Sequence, residues 1–245
     1  MLERLATTPP VRKVLTDRIA SRAWNTPQVG IILGVLLLLY FLTSFVGLFF
    51  YEEQLPLARL VATLLIYTSV VLLIAHVNRQ RGGSWANNFG MGFRQLKKLV
   101  LSPVLYLAFI PFLILAARAW HLFLQDVLGL EIELQKVAQV IVQDLSWLQI
   151  LYILTAVFIA PFFEELIFSG MVFPYLVKHA GLAKGTVLVS LLFAAMHFHL
   201  PSFLPLSLLS AVLCLAYWRT GSLWVGIGMH AIFNGVSILA LIMVT

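Results

Sequence analysis

The sequence contains little charge. Of its 245 residues, 11% are Asp, Glu, Lys or Arg, whereas an ordinary soluble domain carries about 25%. Apolar residues make up 61%, and the mean hydropathy is +0.98. A chain with so few charges cannot cover a globule of its size with a polar surface. The composition therefore excludes a soluble enzyme, a disordered chain and a nucleic-acid-binding protein, in spite of the net charge of +6.

Cysteine and several protease motifs are also scarce or absent. The one cysteine, Cys214, lies in an apolar run with no histidine near it in sequence, so it forms no disulfide within the chain and is a poor nucleophile. There is no His-Glu-x-x-His helix, no Gly-x-Ser-Gly and no aspartate inside an apolar run. These absences exclude the usual metalloprotease helix and the serine and aspartate types of intramembrane protease.

Long apolar runs dominate the chain. A bilayer core about 30 Å thick needs roughly 20 apolar residues per helix. The stretches that meet or nearly meet this length without Lys, Arg, Asp or Glu are Gln28–Phe50, Leu60–Asn78, Leu99–Ala117, Leu145–Phe163, Gly185–Trp218 and Thr220–Thr245. The fifth is broken at residues 197–201 into two short helices, and residues 164–178 either extend the fourth span or form an eighth. The sequence predicts an all-α, polytopic transmembrane helix bundle of about seven to eight spans.

The charges between the apolar runs alternate in sign. The basic segments are 1–27, 79–98, 178–184 and Arg219, and the acidic segments are 52–53 and 126–144. By the positive-inside rule, the N-terminus is cytosolic and the C-terminus lies outside. Residues 1–27 are then a cytosolic basic segment with no cleaved signal peptide, and residues 28–245 are a single transmembrane domain. Residues Leu130–Val142 have one apolar helical face and predict a helix that lies on the outer surface or packs on the bundle.

Polar side chains inside the late apolar runs are candidates for function. A charged group at bilayer depth costs roughly 2.5–3.5 kcal/mol, so it is a functional hypothesis by default. Glu164 and Glu165 are adjacent between apolar flanks, and His197 ends an apolar run. His230 and Asn234 are four residues apart, which puts them on one face of one helix. Counted along their helices, Glu164, His197, His230 and Asn234 lie at similar depth and predict one shared site.

These residue types suit the hydrolysis of an amide. A glutamate in a low-dielectric site can act as a general base and take a proton from water. One imidazole can help to position that water, while the other and the carboxamide donate hydrogen bonds to the oxyanion that develops. Two histidines and a carboxylate can also bind zinc, so a divalent metal site is a second interpretation of the same residues.

The ordered motifs Glu164-Glu165, Phe193-x-x-x-His197 and His230-x-x-x-Asn234 resemble those of the CAAX-prenyl-protease and bacteriocin-processing (CPBP, or Abi) family over about residues 145–240. The resemblance implies an intramembrane endopeptidase with a cavity open toward the cytosol. It also implies that Glu164 activates water with His197, while His230 and Asn234 hold the oxyanion. The expected substrate is a membrane-associated, possibly lipidated protein or peptide, and the expected location is a bacterial plasma membrane.

One position departs from the family pattern. Ser169 stands where the family has an arginine that would pair with Glu165 along the helix. A serine offers only a neutral hydrogen bond, so Glu165 is expected to stay protonated or to pair with another group such as His199 or Lys178. The departure leaves a catalytically degenerate immunity or scaffold protein as an alternative to the protease. A proton-coupled transporter is a third hypothesis, but the two halves of the sequence show no repeat symmetry.

Overall fold

The computed structural model describes residues 11–43, 45, 48–50, 54–130, 138, 140, 141 and 147–244, and the regular structure in these residues is helical throughout. The α-helices are α1 (Val11–Ala20), α2 (Thr26–Thr43), α3 (Leu55–Gln80), α4 (Trp85–Phe89), α5 (Phe93–Leu96), α6 (Leu101–Leu122), α7 (Trp147–Leu154), α8 (Ala160–Ile167), α9 (Phe173–Ala195), α10 (Phe203–Thr220) and α11 (Leu223–Val244). Short 3-10 turns cover Lys97–Val100 and Leu200–Ser202, and π turns cover Phe123–Val127, Thr155–Ile159 and Phe168–Val172.

Six helical stretches among the described residues are long and apolar enough to cross a bilayer. They are Thr26–Thr43, Leu55–Gln80, Trp85–Val127, Trp147–Ala195, Leu200–Thr220 and Leu223–Met243. The 49-residue stretch Trp147–Ala195 turns inside α9 at Gly181, whose φ of 79° favours glycine. The helical segments before and after this turn lie side by side, because Glu164 in the first segment is close to His197 just beyond the second. The predicted all-α transmembrane bundle is confirmed, and the chain is an integral membrane protein.

A proline follows each of the two π turns that flank α8. Thr155–Ile159 precedes Pro161, and Phe168–Val172 precedes Pro174. Proline has no N–H, and its ring crowds the carbonyl four residues earlier, so the ordinary ladder of hydrogen bonds cannot continue through it. The N–H groups of the residues just before each proline donate five residues back instead. The two wider turns therefore rotate α8 about its axis and change which of its faces points into the bundle.

Cationic side chains from several helices meet at the C-terminal turn of α10. The Arg22 guanidinium donates to the Tyr217 hydroxyl (2.8 Å) and to the Gly221 carbonyl (3.1 Å). Arg18 and Lys98 donate to other carbonyls of the same turn. The last carbonyls of a helix have no partners within it and form the negative end of its dipole, so cations are stabilised there.

We call this end of the bundle the basic face. Arg81, at the end of α3, also reaches it, because its guanidinium donates to the Ala23 carbonyl (3.0 Å) and stacks over the Trp24 ring. The basic residues of this face are Arg12, Lys13, Arg18, Arg22, Arg79, Arg81, Arg94, Lys97, Lys98, Lys178, Lys184 and Arg219. The basic segments that the sequence analysis assigned to one side thus lie together.

Large aromatic side chains fill the bundle next to the basic face. Trp24 and Phe89 are fully buried with ring centroids 5.8 Å apart, and Tyr217 and Phe173 are also inaccessible to solvent. The π turn after α8 packs directly on Phe89, because a Cβ on Gly170 would lie 2.9 Å from that ring. A dense apolar layer therefore separates the basic face from α8.

Some sequence predictions fall outside the described residues. They concern the outer-surface helix Leu130–Val142, most of which is not described, the acidic pair Glu52 and Glu53, and residues 1–10.

We expect Arg22→Ala to lower the melting temperature of the detergent-solubilised protein by about 5 °C, since it leaves the buried Tyr217 hydroxyl and Gly221 carbonyl without a donor. Arg12→Ala is the matched control, because its side chain is exposed. Equal melting temperatures for both variants would show that the Arg22 contacts do not stabilise the bundle.

Candidate active site

Helix α8 presents its two glutamates in different directions. The Glu164 side chain is 15% exposed and faces a cavity, whereas Glu165 is 1% exposed and points into the packed interior. Adjacent residues on a helix lie about 100° apart around its axis, which accounts for the divergence. The two carboxylates therefore have separate sets of partners.

The Glu164 carboxylate lies between a tyrosine and two imidazoles. Its Oε1 accepts a hydrogen bond from the Tyr67 hydroxyl at 3.0 Å. Its Oε2 lies 3.7 Å from Nε2 of His230 and 3.9 Å from Nε2 of His197. These two distances are too long for direct hydrogen bonds. One carboxylate oxygen is thus held by the protein, while the other faces both histidines.

The buried Glu165 carboxylate links Ser169 to His230. The Ser169 hydroxyl donates to Oε2 at 2.5 Å, and Nδ1 of His230 lies 3.1 Å from Oε1. Ser169 also lies 3.5 Å from the sulfur of Cys214. The expected partners of Glu165, His199 and Lys178, are not the groups that contact it here. Ser169 thus occupies the place expected for arginine and still pairs with Glu165.

His197 lies just past the end of α9 with a defined ring orientation. Its Nδ1 is 2.8 Å from the Phe193 carbonyl, which can only accept, so Nδ1 carries a proton. In the neutral ring, Nε2 then presents a lone pair toward Glu164. The Phe193 ring packs on both imidazoles, with centroids 4.7 Å from His197 and 5.7 Å from His230. The phenylalanine of the second motif therefore holds both histidines in place.

Asn234 connects α11 to the π turn before α8. Its Nδ2 donates to the Ala156 carbonyl at 2.8 Å. That carbonyl loses its usual helical donors, because the N–H of Ala160 goes to Thr155 and residue 161 is a proline. An amide nitrogen has two hydrogens, so Asn234 keeps one for another acceptor. The described structure thus gathers Glu164, Glu165, His197, His230 and Asn234 around one centre.

A cavity of about 440 Å³ lies above this centre, within the usual volume range of ligand sites. Its walls come from helix ends that lie away from the basic face, and they include Leu60, Tyr152, His199, Ser202, Ile238 and Leu241. The resemblance implied an opening toward the cytosol, and the charge pattern implied a cytosolic basic face. The structure places the cavity on the side away from that face, so the two expectations are incompatible.

The donor set of the site does not form a recognisable metal cluster. Among residues 11–43, 54–130 and 147–244, no three His, Cys, Asp or Glu side chains are grouped as metal ligands. Two ligands of a tetrahedral zinc ion lie about 3.3 Å apart, and the Glu164–histidine separations of 3.7 and 3.9 Å exceed this. The zinc interpretation therefore does not fit the geometry, and no chemical step below is assigned to a metal.

Two contributors to the site were missed by the sequence analysis. Tyr67 on α3 is buried, contacts Glu164 and stacks on Phe163 at a centroid distance of 4.8 Å. A tyrosine in an apolar span belongs to no motif, so no pattern in the sequence pointed to it. Gly226 on α11 faces Glu165, and a Cβ there would lie 3.1 Å from Oε2. Its proximity to His230 in sequence was the only available hint.

Comparison with protein families agrees with the motifs. Residues 146–236 match the family described as Type II CAAX prenyl endopeptidase Rce1-like. This stretch contains all three motifs, so the resemblance is confirmed over these residues, and the matched family is a protease family. No curated protein and no solved structure matches the chain.

We expect Gly226→Ala to lower the melting temperature by a few degrees, because the new methyl group pushes on a carboxylate that Ser169 and His230 hold in place. Gly34→Ala is the matched control, since nothing lies within 4 Å of the added Cβ and alanine is favoured over glycine in a helix by roughly 0.5–1 kcal/mol. A Gly226→Ala protein as stable as the control would mean that Glu165 is free to move.

Proposed function

We propose that the chain is an intramembrane endopeptidase that cleaves a membrane-associated protein or peptide with water activated by Glu164. The observation that carries the proposal is the position of Glu164 Oε2, which lies within 4 Å of both histidine Nε2 atoms in a cavity inside the bundle. The gaps of 3.7 and 3.9 Å leave these polar atoms facing one point without bonding each other directly. A water molecule at that point would have three polar partners, as a buried water requires.

The reaction can be written with its protons balanced. Glu164 takes a proton from the water as the oxygen attacks the scissile carbonyl carbon, while Nε2 of His197 accepts a hydrogen bond from the same water. A proton on Nε2 of His230 and the free N–H of Asn234 stabilise the oxyanion. The C–N bond then breaks, and the leaving nitrogen takes the proton from Glu164. The products are a carboxylic acid, which keeps the second proton of the water until it ionises in solution, and an amine, with the carboxylate of Glu164 restored.

In this proposal Glu165 and Ser169 are positioning residues and take no part in the bond-making steps. Glu165 fixes the His230 ring through Nδ1 and is itself fixed by Ser169. The missing arginine of the family pattern was the reason for considering a degenerate, non-catalytic member. Since Ser169 already provides Glu165 with a close partner, that reason is weakened, and the protease is favoured over an immunity or scaffold protein.

The surroundings of the enzyme follow from the charge pattern. The basic face is assigned to the cytosol by the positive-inside rule, which places the N-terminal segment there as well. We expect a bacterial plasma membrane as the location. A lipid-modified substrate is compatible with a cavity whose outer wall contains Leu60, Ile238 and Leu241.

Glu164→Gln is expected to reduce peptide cleavage by about 10²–10⁴-fold, because an amide cannot act as the general base. Purified protein in liposomes would be assayed by mass spectrometry against a panel of membrane-anchored and lipidated peptides. Asp17→Asn, which removes an exposed carboxylate from α1, is the matched control and should cleave like the wild type.

The same assay separates glutamate from metal chemistry. Prolonged dialysis against EDTA should leave the wild-type rate unchanged. A rate that is lost on dialysis and restored by zinc would contradict activation of the water by Glu164 without a metal. Equal turnover by wild type and Glu164→Gln would reject the proposed function itself.

Tyr67→Phe is expected to slow cleavage by about 10–100-fold, the effect of losing one hydrogen bond to a charged group, with little change in KM. The hydroxyl holds the carboxylate that acts as the base, so its loss is expected to lower kcat rather than to weaken substrate binding.

Tyr217→Phe is the matched control for this substitution, because it also removes one hydrogen-bonded hydroxyl from a buried tyrosine but acts far from the cavity. It should lower stability without lowering kcat. If both variants shift the melting temperature alike and neither lowers kcat, Tyr67 has only a structural role.

A further inference from the structure

The active centre is closed on the side of the basic face. Leu166, Ile167 and Met171, which follow Glu165 along the chain, are at most 1% exposed. Beyond them lies the aromatic layer formed by Trp24, Phe89, Phe173 and Tyr217. Dense packing of this kind leaves no passage for a polypeptide. A substrate therefore cannot reach Glu164 from the basic face in the described structure.

The opposite direction is open. Along α11, the residues from Val225 to Ile227, together with Met229 and His230, are buried, whereas Ser237 and Leu239 are exposed. The cavity follows the same helix from Asn234 to Leu241, a rise of about 10 Å away from the basic face. Its other wall is the segment from His199 to Leu206, at the N-terminal end of α10 and thus at the far end of that helix from Arg219.

The charge distribution indicates which side of the membrane this opening faces. Nearly all Lys and Arg residues that flank the described spans belong to the basic face, while Arg59 and Arg118 lie near the other end. Asp126, in the π turn Phe123–Val127 that follows α6, also lies at that other end. An excess of Lys and Arg next to membrane spans marks the cytosolic side, and acidic residues contribute little to this rule.

We infer that the active site opens to the extracytosolic side of the membrane and accepts polypeptide segments that emerge there beside a membrane anchor. The inference rests on the proposed function for the cleavage itself, but the direction of the opening is independent of it. The substrate class is then a membrane-anchored chain whose scissile bond lies in the outer half of the bilayer or just outside it. A cytosolic C-terminal tail would face the closed end of the bundle.

The single cysteine of the chain provides a direct test. Cys214 is fully buried, so the wild type serves as the unlabelled background for a membrane-impermeant maleimide. Ser237→Cys and Ser202→Cys place a thiol on the cavity wall, and Arg94→Cys places one on the basic face. In sealed cells, we expect labelling of at least one cavity variant and none of Arg94→Cys, which should react only after permeabilisation. Labelling of Arg94→Cys in sealed cells would overturn the inference, whatever the cavity variants show.

Cleavage assays distinguish a failure of this inference from a failure of the proposed function. Two single-span reporters would carry the same peptide segment, one on each side of the membrane, and would be expressed with wild type or Glu164→Gln. We expect Glu164-dependent loss of the extracytosolic reporter alone. Glu164-dependent cleavage of only the cytosolic reporter would overturn the inference while supporting the protease. If peptides in liposomes are not cleaved either, the function fails, and the labelling result still decides the direction of the opening.

Discussion

The site depends on one histidine held between two glutamates. The His230 side chain is 2% exposed. Its Nδ1 lies within hydrogen-bond distance of the Glu165 carboxylate, and its Nε2 is directed at Glu164. A buried ring with a carboxylate at each nitrogen has little freedom to rotate, and its position fixes the distance between α8 and α11. Burying three ionisable groups together is costly unless each is paired, and Ser169 and Tyr67 complete the pairing at the two ends. The surrounding helices must preserve this arrangement.

The arrangement is made possible by the irregular geometry of the long fourth span. In a regular α-helix, the direction of the Glu165 side chain would follow from the directions of the helical turns before and after it. The two π turns, each before a proline, uncouple α8 from its neighbours, so both carboxylates can reach α11. Two departures from regular helix thus lie immediately on either side of the segment that carries both glutamates.

Much of the fold and site was predictable because the bilayer imposes strong constraints. Apolar length identified the spans, and polar residues at membrane depth identified Glu164, His197 and His230. What the sequence could not provide was the contact between distant spans. Tyr67 lies almost 100 positions before Glu164 without any motif, and the π turns depend on proline contexts that also occur in ordinary kinks. The position of the cavity relative to the basic face could not be read from the sequence either, because it depends on which helix ends remain unfilled by side chains.

The bond from Asn234 to the Ala156 carbonyl has a consequence for how such sequences can diverge. In the π turn the N–H of Ala160 goes to Thr155, and Pro161 has no N–H to donate to Ala156 five residues back, so the carboxamide from α11 takes that place. The proline and the asparagine are therefore a coupled pair across two helices. A lineage that loses the proline regains a backbone donor and frees position 234 to change, whereas one that keeps it must retain a side chain able to donate there. Covariation between these two positions would record that mutual dependence.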